Sequence, residues 1–130
     1  MSNASHSLAY LLARLLLMAL FLVSGLGKLS DPGATQAYME AMHVPGFLLW
    51  PTIVFEIGSG LCILLGVQTR RVAIVLAGFS LVTAFIFHHN VSDPTQLVMF
   101  LKNLGLAGGF LLLACTGAGR YSIDGRGRRG

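Results

Sequence analysis

The chain has 130 residues, of which 55% are hydrophobic and only 11% charged, with a mean hydropathy of +0.74. A water-soluble domain carries roughly 25% charged residues to hydrate its surface, so part of this surface is expected to face hydrocarbon. The formal net charge of +4 does not indicate a nucleic-acid partner, because the basic residues lie at the ends of apolar runs and in the tail after Gly119, without aromatic interleaving.

The first apolar run extends from about residue 8 to 27 and contains one charge, Arg14. A core of about 30 Å is crossed by roughly 20 helical residues, so this run predicts a first span. A cleaved leader is the competing reading. The stretch is long for a leader's apolar segment, and no convincing small-x-small site follows it. Asp31-Pro32-Gly33 ends the span, and the stretch from Ala34 to Met42 predicts a short interfacial helix. Val44-Pro45-Gly46 then turns the chain into a second run at about 47–67, with Glu56 inside it.

Gly66 to Arg71 reads as a tight polar hairpin. A third, shorter run at about 72–88 reaches His88-His89-Asn90, and Asn90 to Pro94 makes another turn. The fourth run, at about 95–116, carries Lys102 in its first half. None of the runs alternates with period two, and backbone amides in hydrocarbon must be paired within their own segment. The expected fold class is therefore an all-α membrane protein, a four-helix transmembrane bundle with a short interfacial helix after the first span, in one domain. The basic tail at 117–130 completes it.

Four spans put the N-terminus, the Arg70-Arg71 hairpin and the tail on one side. That side holds Arg70, Arg71, Arg120, Arg126, Arg128 and Arg129, and the other holds Lys28. Retention of positive charge in the cytoplasm predicts that both termini are cytoplasmic.

Charges within spans are costly and mark sites or structural pairs. At about 100° per residue, Arg14, Met18, Phe21, Gly25 and Lys28 share a face of the first helix. Thr52, Glu56, Ser59 and Gly60 share one on the second, and Lys102, Gly105 and Gly109 one on the fourth. Small residues let helices approach closely, so these stripes are expected to face inward. Glu56 falls roughly 12 Å and Lys102 roughly 8–11 Å below the outer ends, at similar depth. The expectation is a polar pocket opening outward. Glu56 forms its floor with Arg14 reaching up from below, Lys102 pairs with Glu56, Lys28 and His88 crown the opening, and Asn103 lines a neighbouring wall. The plain alternative is a structural Glu56–Lys102 pair that orders the helices.

Adjacent histidines point in different directions, so His88-His89 does not resemble a haem or metal site, and no metal is expected. Cys62 and Cys115 are far apart in apolar runs, with no CxxC or zinc spacing, and read as small packing residues.

Phe21-Leu22-Val23-Ser24-Gly25-Leu26-Gly27-Lys28-Leu29 resembles the first-helix motif of the DoxX family of bacterial membrane proteins. Glu56-Ile57-Gly58-Ser59-Gly60-Leu61, with Leu65-Gly66 and Thr69-Arg70, is similar to its second-helix signature. Phe100-Leu101-Lys102-Asn103-Leu104 with Gly108-Gly109 resembles the start of its last helix, and Gly119-Arg120-Tyr121-Ser122-Ile123-Asp124 its ending. The resemblance covers nearly the whole chain in order. It implies an inner-membrane protein of the quinol-oxidase-subunit-like branch, associated with quinone-linked redox systems.

The expected function is an accessory subunit of such a system, holding a quinone-like ligand near Glu56, with a redox partner subunit or a homo-oligomer as its company in the bilayer. Two other readings stay open. One is a transport module for a small solute or proton, and the other is a non-catalytic membrane scaffold.

Overall fold

The computed structural model describes residues 3–126. The tail arginines Arg128 and Arg129 lie outside the described residues. Helix α1 runs Asn3–Ser30, α2 Pro32–Ala41, α3 Leu49–Leu65, α4 Thr69–Phe87, α5 Pro94–Thr116 and α6 Ile123–Arg126, with a 3₁₀ turn at Gly46–Leu48 before α3. Four of these are long and apolar enough to cross a membrane: Ser5–Ser30, Gly46–Leu65, Thr69–Phe87 and Pro94–Thr116. Large apolar side chains point outward, as with Leu16 at 76%, Val54 at 73% and Leu112 at 69% exposure. Hydrocarbon, not water, suits that surface.

The polar connections shape the ends. Asp31 caps α2, its side chain accepting from the Ala34 amide at 3.1 Å, and Pro32 sits where a helix needs no amide donor. Asp93 and Pro94 repeat the device at α5, with Asp93 accepting from Thr95 at 2.9 Å. The α3–α4 hairpin is tighter than the expected stretch from Gly66 to Arg71. Gly66 takes a left-handed φ of 71° to end α3, and α4 already begins at Thr69, so the third span has 19 residues.

Two intimate helix pairs build the bundle: α1 against α3, and α4 against α5. The first depends on glycines. A Cβ on Gly25 would meet Ile57 Cγ1 at 2.7 Å, and one on Gly60 would meet Leu22 Cδ2 at 2.8 Å. Both stripes read from the sequence on α1 and α3 do face inward: Arg14, Phe21, Gly25, Glu56, Ser59 and Gly60 are buried. Phe21, Phe79 and Phe110 join the two pairs through edge and tilted ring contacts at 5.5–6.1 Å.

The α5 stripe requires a correction. Asn103, Ala107, Phe110 and Leu113 are buried, whereas Lys102 and Gly105 are exposed. Gly109 touches Leu17, but Gly105 meets nothing within 4 Å. The helix is rotated by about one residue, 100°, from the expected orientation, because Phe110 fills the core in place of the glycine row. Cys115 is likewise exposed, not packed, and Cys62 is half-buried.

The end holding both hairpin and tail is sealed by charged caps. Arg14 is 1% exposed. Its Nε donates to the Ile63 carbonyl at 3.0 Å and its Nη2 to that of Leu64 at 2.9 Å. Its Nη1 donates to the carbonyls of Ala118 at 2.7 Å and Tyr121 at 2.9 Å. Arg70 does the same for the end of α5, donating to the carbonyls of Ala114, Cys115 and Thr116 at 2.6–3.3 Å. Asp124 takes the amides of Gln68 and Thr69 at 3.0 and 2.9 Å, at the start of α4. Helix ends leave unpaired carbonyls and amides whose partial charges favour such partners.

Candidate functional site

Between the two helix pairs lies a cavity of about 350 Å³. Its floor is aromatic, made by Phe21 and Phe79. α1 contributes Ser24 and Lys28 to the walls, α3 contributes Thr52 and Glu56, α4 contributes Ser80 and Thr83, and α5 contributes Lys102 and Asn103. Thr35, Tyr38 and Met39 of α2 form the roof, so the short helix has a structural reason to exist. Tyr38 stacks on Phe87 with centroids 5.6 Å apart and donates its hydroxyl to the Phe87 carbonyl at 3.3 Å.

The charges pair differently from the sequence expectation. Glu56 is bound by Lys28, whose Nζ lies 2.9 Å from Oε1 and 3.0 Å from Oε2. Lys28 also donates to Ser24 Oγ at 2.7 Å, one helical turn back. A lysine expected at the crown thus bends down into the cavity along its own helix. Lys102 takes no part in this pair. It is exposed at the cavity's edge, and its Nζ has Met99 Sδ as neighbour at 3.6 Å. Equal depth did not make Lys102 the partner, because the rotation of α5 turns it away and presents Asn103 instead.

Arg14 is the second correction. It does not back Glu56, since its guanidinium is consumed by four carbonyls at the opposite end. His88 does line the cavity, near its roof, with Nδ1 2.8 Å from Gln96 Oε1. Asn103 is buried, and its Nδ2 donates to Thr83 Oγ1 at 3.1 Å. Of the six residues singled out in the sequence, Lys28, Glu56, His88, Lys102 and Asn103 meet at one cavity, and Arg14 does not.

Two wall residues of α4 were missed. Ser80 is 1% exposed, and its hydroxyl has no hydrogen-bond partner among the described residues. Thr83, one turn on, donates to the carbonyls of Phe79 and Ser80 at 3.0 and 3.1 Å. The sequence held a signal for them. Ala73, Ala77, Ser80 and Ala84 recur at helical spacing, a small-residue stripe of the kind read on the other three spans. Among the described residues no group of three or more His, Cys, Asp or Glu is placed to hold a metal.

The arrangement suits an amphiphile. The walls are largely apolar, and the polar atoms on them offer an ammonium, a carboxylate, an amide and a free hydroxyl. Small-molecule sites commonly combine such walls with a few convergent polar groups.

Comparison with known proteins fits this architecture. The DoxX family model matches residues 9–89, from α1 to just past α4. The chain is 54% identical over 114 residues to the inner membrane protein YqjF of Escherichia coli, covering 88% of each chain. It is 34% identical over 132 residues to the inner membrane protein YphA of the same organism, covering 95% of this chain and 94% of that one. A yeast ER-derived vesicles protein, ERV29, is 32% identical over 80 residues, which is 58% of this chain and 26% of the yeast protein. No solved structure matches the chain significantly. Four apolar helices, a family match across most of them and two near-full-length relatives make this chain an integral inner-membrane protein of the DoxX family.

Proposed function

We propose that the protein is an accessory subunit of a membrane redox system, and that its cavity holds a quinone-class ligand at the outer side of the membrane. The observation that carries the reading is the Lys28–Glu56 pair on the wall of an apolar cavity, beside the unpartnered Ser80 hydroxyl. A buried hydroxyl without a partner is costly, and a ligand oxygen supplies one. Ser80 donates to a ligand oxygen, Asn103 steadies the ring, and Glu56, held in place by Lys28, accepts a proton or a hydrogen bond. His88, near the roof, lies where a proton exchanges with water. Lys102 at the edge offers a further cation to a polar head.

Binding is favoured over conduction by the packing beneath the cavity. Phe21, Phe79 and Phe110 lie under it, and Arg14 locks the far end. A path to the other side would have to break both. The arginine-rich end faces the cytoplasm in this reading, with both termini there. The outward apolar faces are available to a redox partner subunit or to a second copy of the chain.

The test is equilibrium binding of a quinone analogue to purified protein and to the Glu56→Gln, Lys28→Met and Ser80→Ala variants. The reading expects wild-type binding and a loss of affinity in all three. Absence of wild-type binding, or equal affinity in all four proteins, overturns it.

A further inference from the structure

The opposite end of the bundle holds a second, larger concavity of about 650 Å³. It is lined by the α3–α4 hairpin, the start of α4 and the segment that follows α5, including Thr69, Arg70, Arg71, Arg120 and Asp124. Three guanidinium groups therefore face one carboxylate. Their roles differ. Arg70 is fixed by the three carbonyls at the end of α5. Asp124 spends its oxygens on the Gln68 and Thr69 amides. Arg71 and Arg120 are exposed and have no hydrogen bond or ion pair among the described residues. Thr69 is 1% exposed, and its hydroxyl is also without a partner.

The cap chemistry fixes the segment that carries Arg120 against the start of α4, which carries Arg71. Asp124 accepts from the hairpin amides while its own amide donates to the Gly66 carbonyl at 2.8 Å. The post-α5 segment is thereby bound to the hairpin, and Arg120 and Arg71 line one concave surface. Arg71 and Arg120 line the concavity without an ion pair to a described carboxylate, and guanidinium forks free of such a pair match phosphate oxygens in geometry. The concavity sits at the ends of the spans, where lipid headgroups lie. We infer that this concavity is a binding site for a phosphate-bearing anion, held by Arg71 and Arg120 with Thr69 as an added donor. An anionic lipid headgroup and free phosphate share that chemistry. The inference does not depend on the ligand of the outer cavity.

The experiment uses the full chain in detergent micelles, with phosphatidylglycerol or phosphatidylcholine titrated in and bound lipid counted by native mass spectrometry. Wild type is expected to retain phosphatidylglycerol in preference to phosphatidylcholine. An anionic surface contributes roughly a fivefold gain per basic side chain, so the R71Q/R120Q double variant is expected to bind about thirtyfold more weakly. R126Q removes one charge from α6, outside the concavity, and is expected to stay within about twofold of wild type. Displacement of the lipid by excess inorganic phosphate assigns the site to phosphate in general, and resistance to displacement assigns it to the lipid headgroup. Equal retention of the two lipids, equal binding by wild type and the double variant, or an R126Q loss as large as that of the double variant overturns the site.

Discussion

Lys28 Nζ lies within 3.0 Å of both carboxylate oxygens of Glu56, joining the C-terminal end of α1 to the middle of α3. The Glu56 side chain is 5% exposed and that of Lys28 23%, so neither charge is well solvated without the other. Removing one partner of such a pair costs about 3 kcal/mol or more, because the survivor is left unpaired. Lys28→Met and Glu56→Gln are each expected to lower thermal stability in detergent by that order. The double variant is expected to recover most of the loss. Lys102→Met is expected to change stability by less than about 0.5 kcal/mol, as for an ordinary surface position. A Lys102→Met loss as large as that of Lys28→Met contradicts the observed pairing.

The four spans, the interfacial helix and the inward faces of α1 and α3 were legible because charges and glycines stood out against oily cylinders. The orientation of α5 was not. In lipid both faces of a span are apolar, so polarity alone does not fix rotation, and the glycine row competed with Phe110 for the core. Partner choice was hidden for a related reason. Depth along the membrane normal can be counted from sequence, but whether α1 or α5 lies against α3 depends on packing, and Gly25 with Gly60 decides it. Arg14 read as a charge seeking a carboxylate, whereas it satisfies helix-end carbonyls, which carry no signature in the side-chain sequence.

Arg14 makes a second expectation testable. Its guanidinium ties the end of α3 to the carbonyls of Ala118 and Tyr121, holding the segment after α5 in place. Arg14→Gln leaves most of those acceptors without a donor, at a cost of about 3 kcal/mol. Arg14→Lys rescues only part, since an ammonium lacks the planar fork. Limited trypsin digestion followed by mass spectrometry reads the consequence. Cleavage after Arg120 is expected to accelerate in Arg14→Gln and less so in Arg14→Lys. Unchanged cleavage in Arg14→Gln rules out the anchoring role.

Asp124 caps α4 from a distant part of the chain, which no local motif announces. Asp124→Ala is expected to cost about 1 kcal/mol, the usual value of a lost N-terminal cap. Hydrogen exchange gives a sharper readout than stability. The Gln68 and Thr69 amides, which donate to the carboxylate, are expected to exchange faster in the variant, while amides in the middle of α4 keep their protection. Uniform acceleration along α4 indicates general destabilisation instead of a lost cap.

The same substitution placed at two glycines separates packing from composition. Gly60→Val drives a side chain into Leu22, where even a Cβ stands at 2.8 Å, and overpacking of this kind costs about 1–3 kcal/mol. Gly105→Val projects into open space on the outer face of α5 and is expected to be tolerated. Thermal unfolding of the two variants in the same detergent checks the order. Equal losses place Gly105 in a packed interface and contradict the observed rotation of α5.

Ser80 separates stability from binding most cleanly. Its hydroxyl is buried in the cavity wall without a partner, a cost on the order of 1–3 kcal/mol that the ligand-free fold bears. Ser80→Ala removes that cost and leaves a methyl group against the apolar wall, so the variant is expected to be as stable as wild type or more stable. If the hydroxyl serves a ligand oxygen, the same change weakens quinone-analogue binding by about fivefold to tenfold, the value of one neutral hydrogen bond. Higher stability with lower affinity marks a polar group kept for the ligand. A Ser80→Ala variant that loses stability and keeps its affinity shows that the hydroxyl is satisfied within the fold, and the ligand assignment of this wall fails.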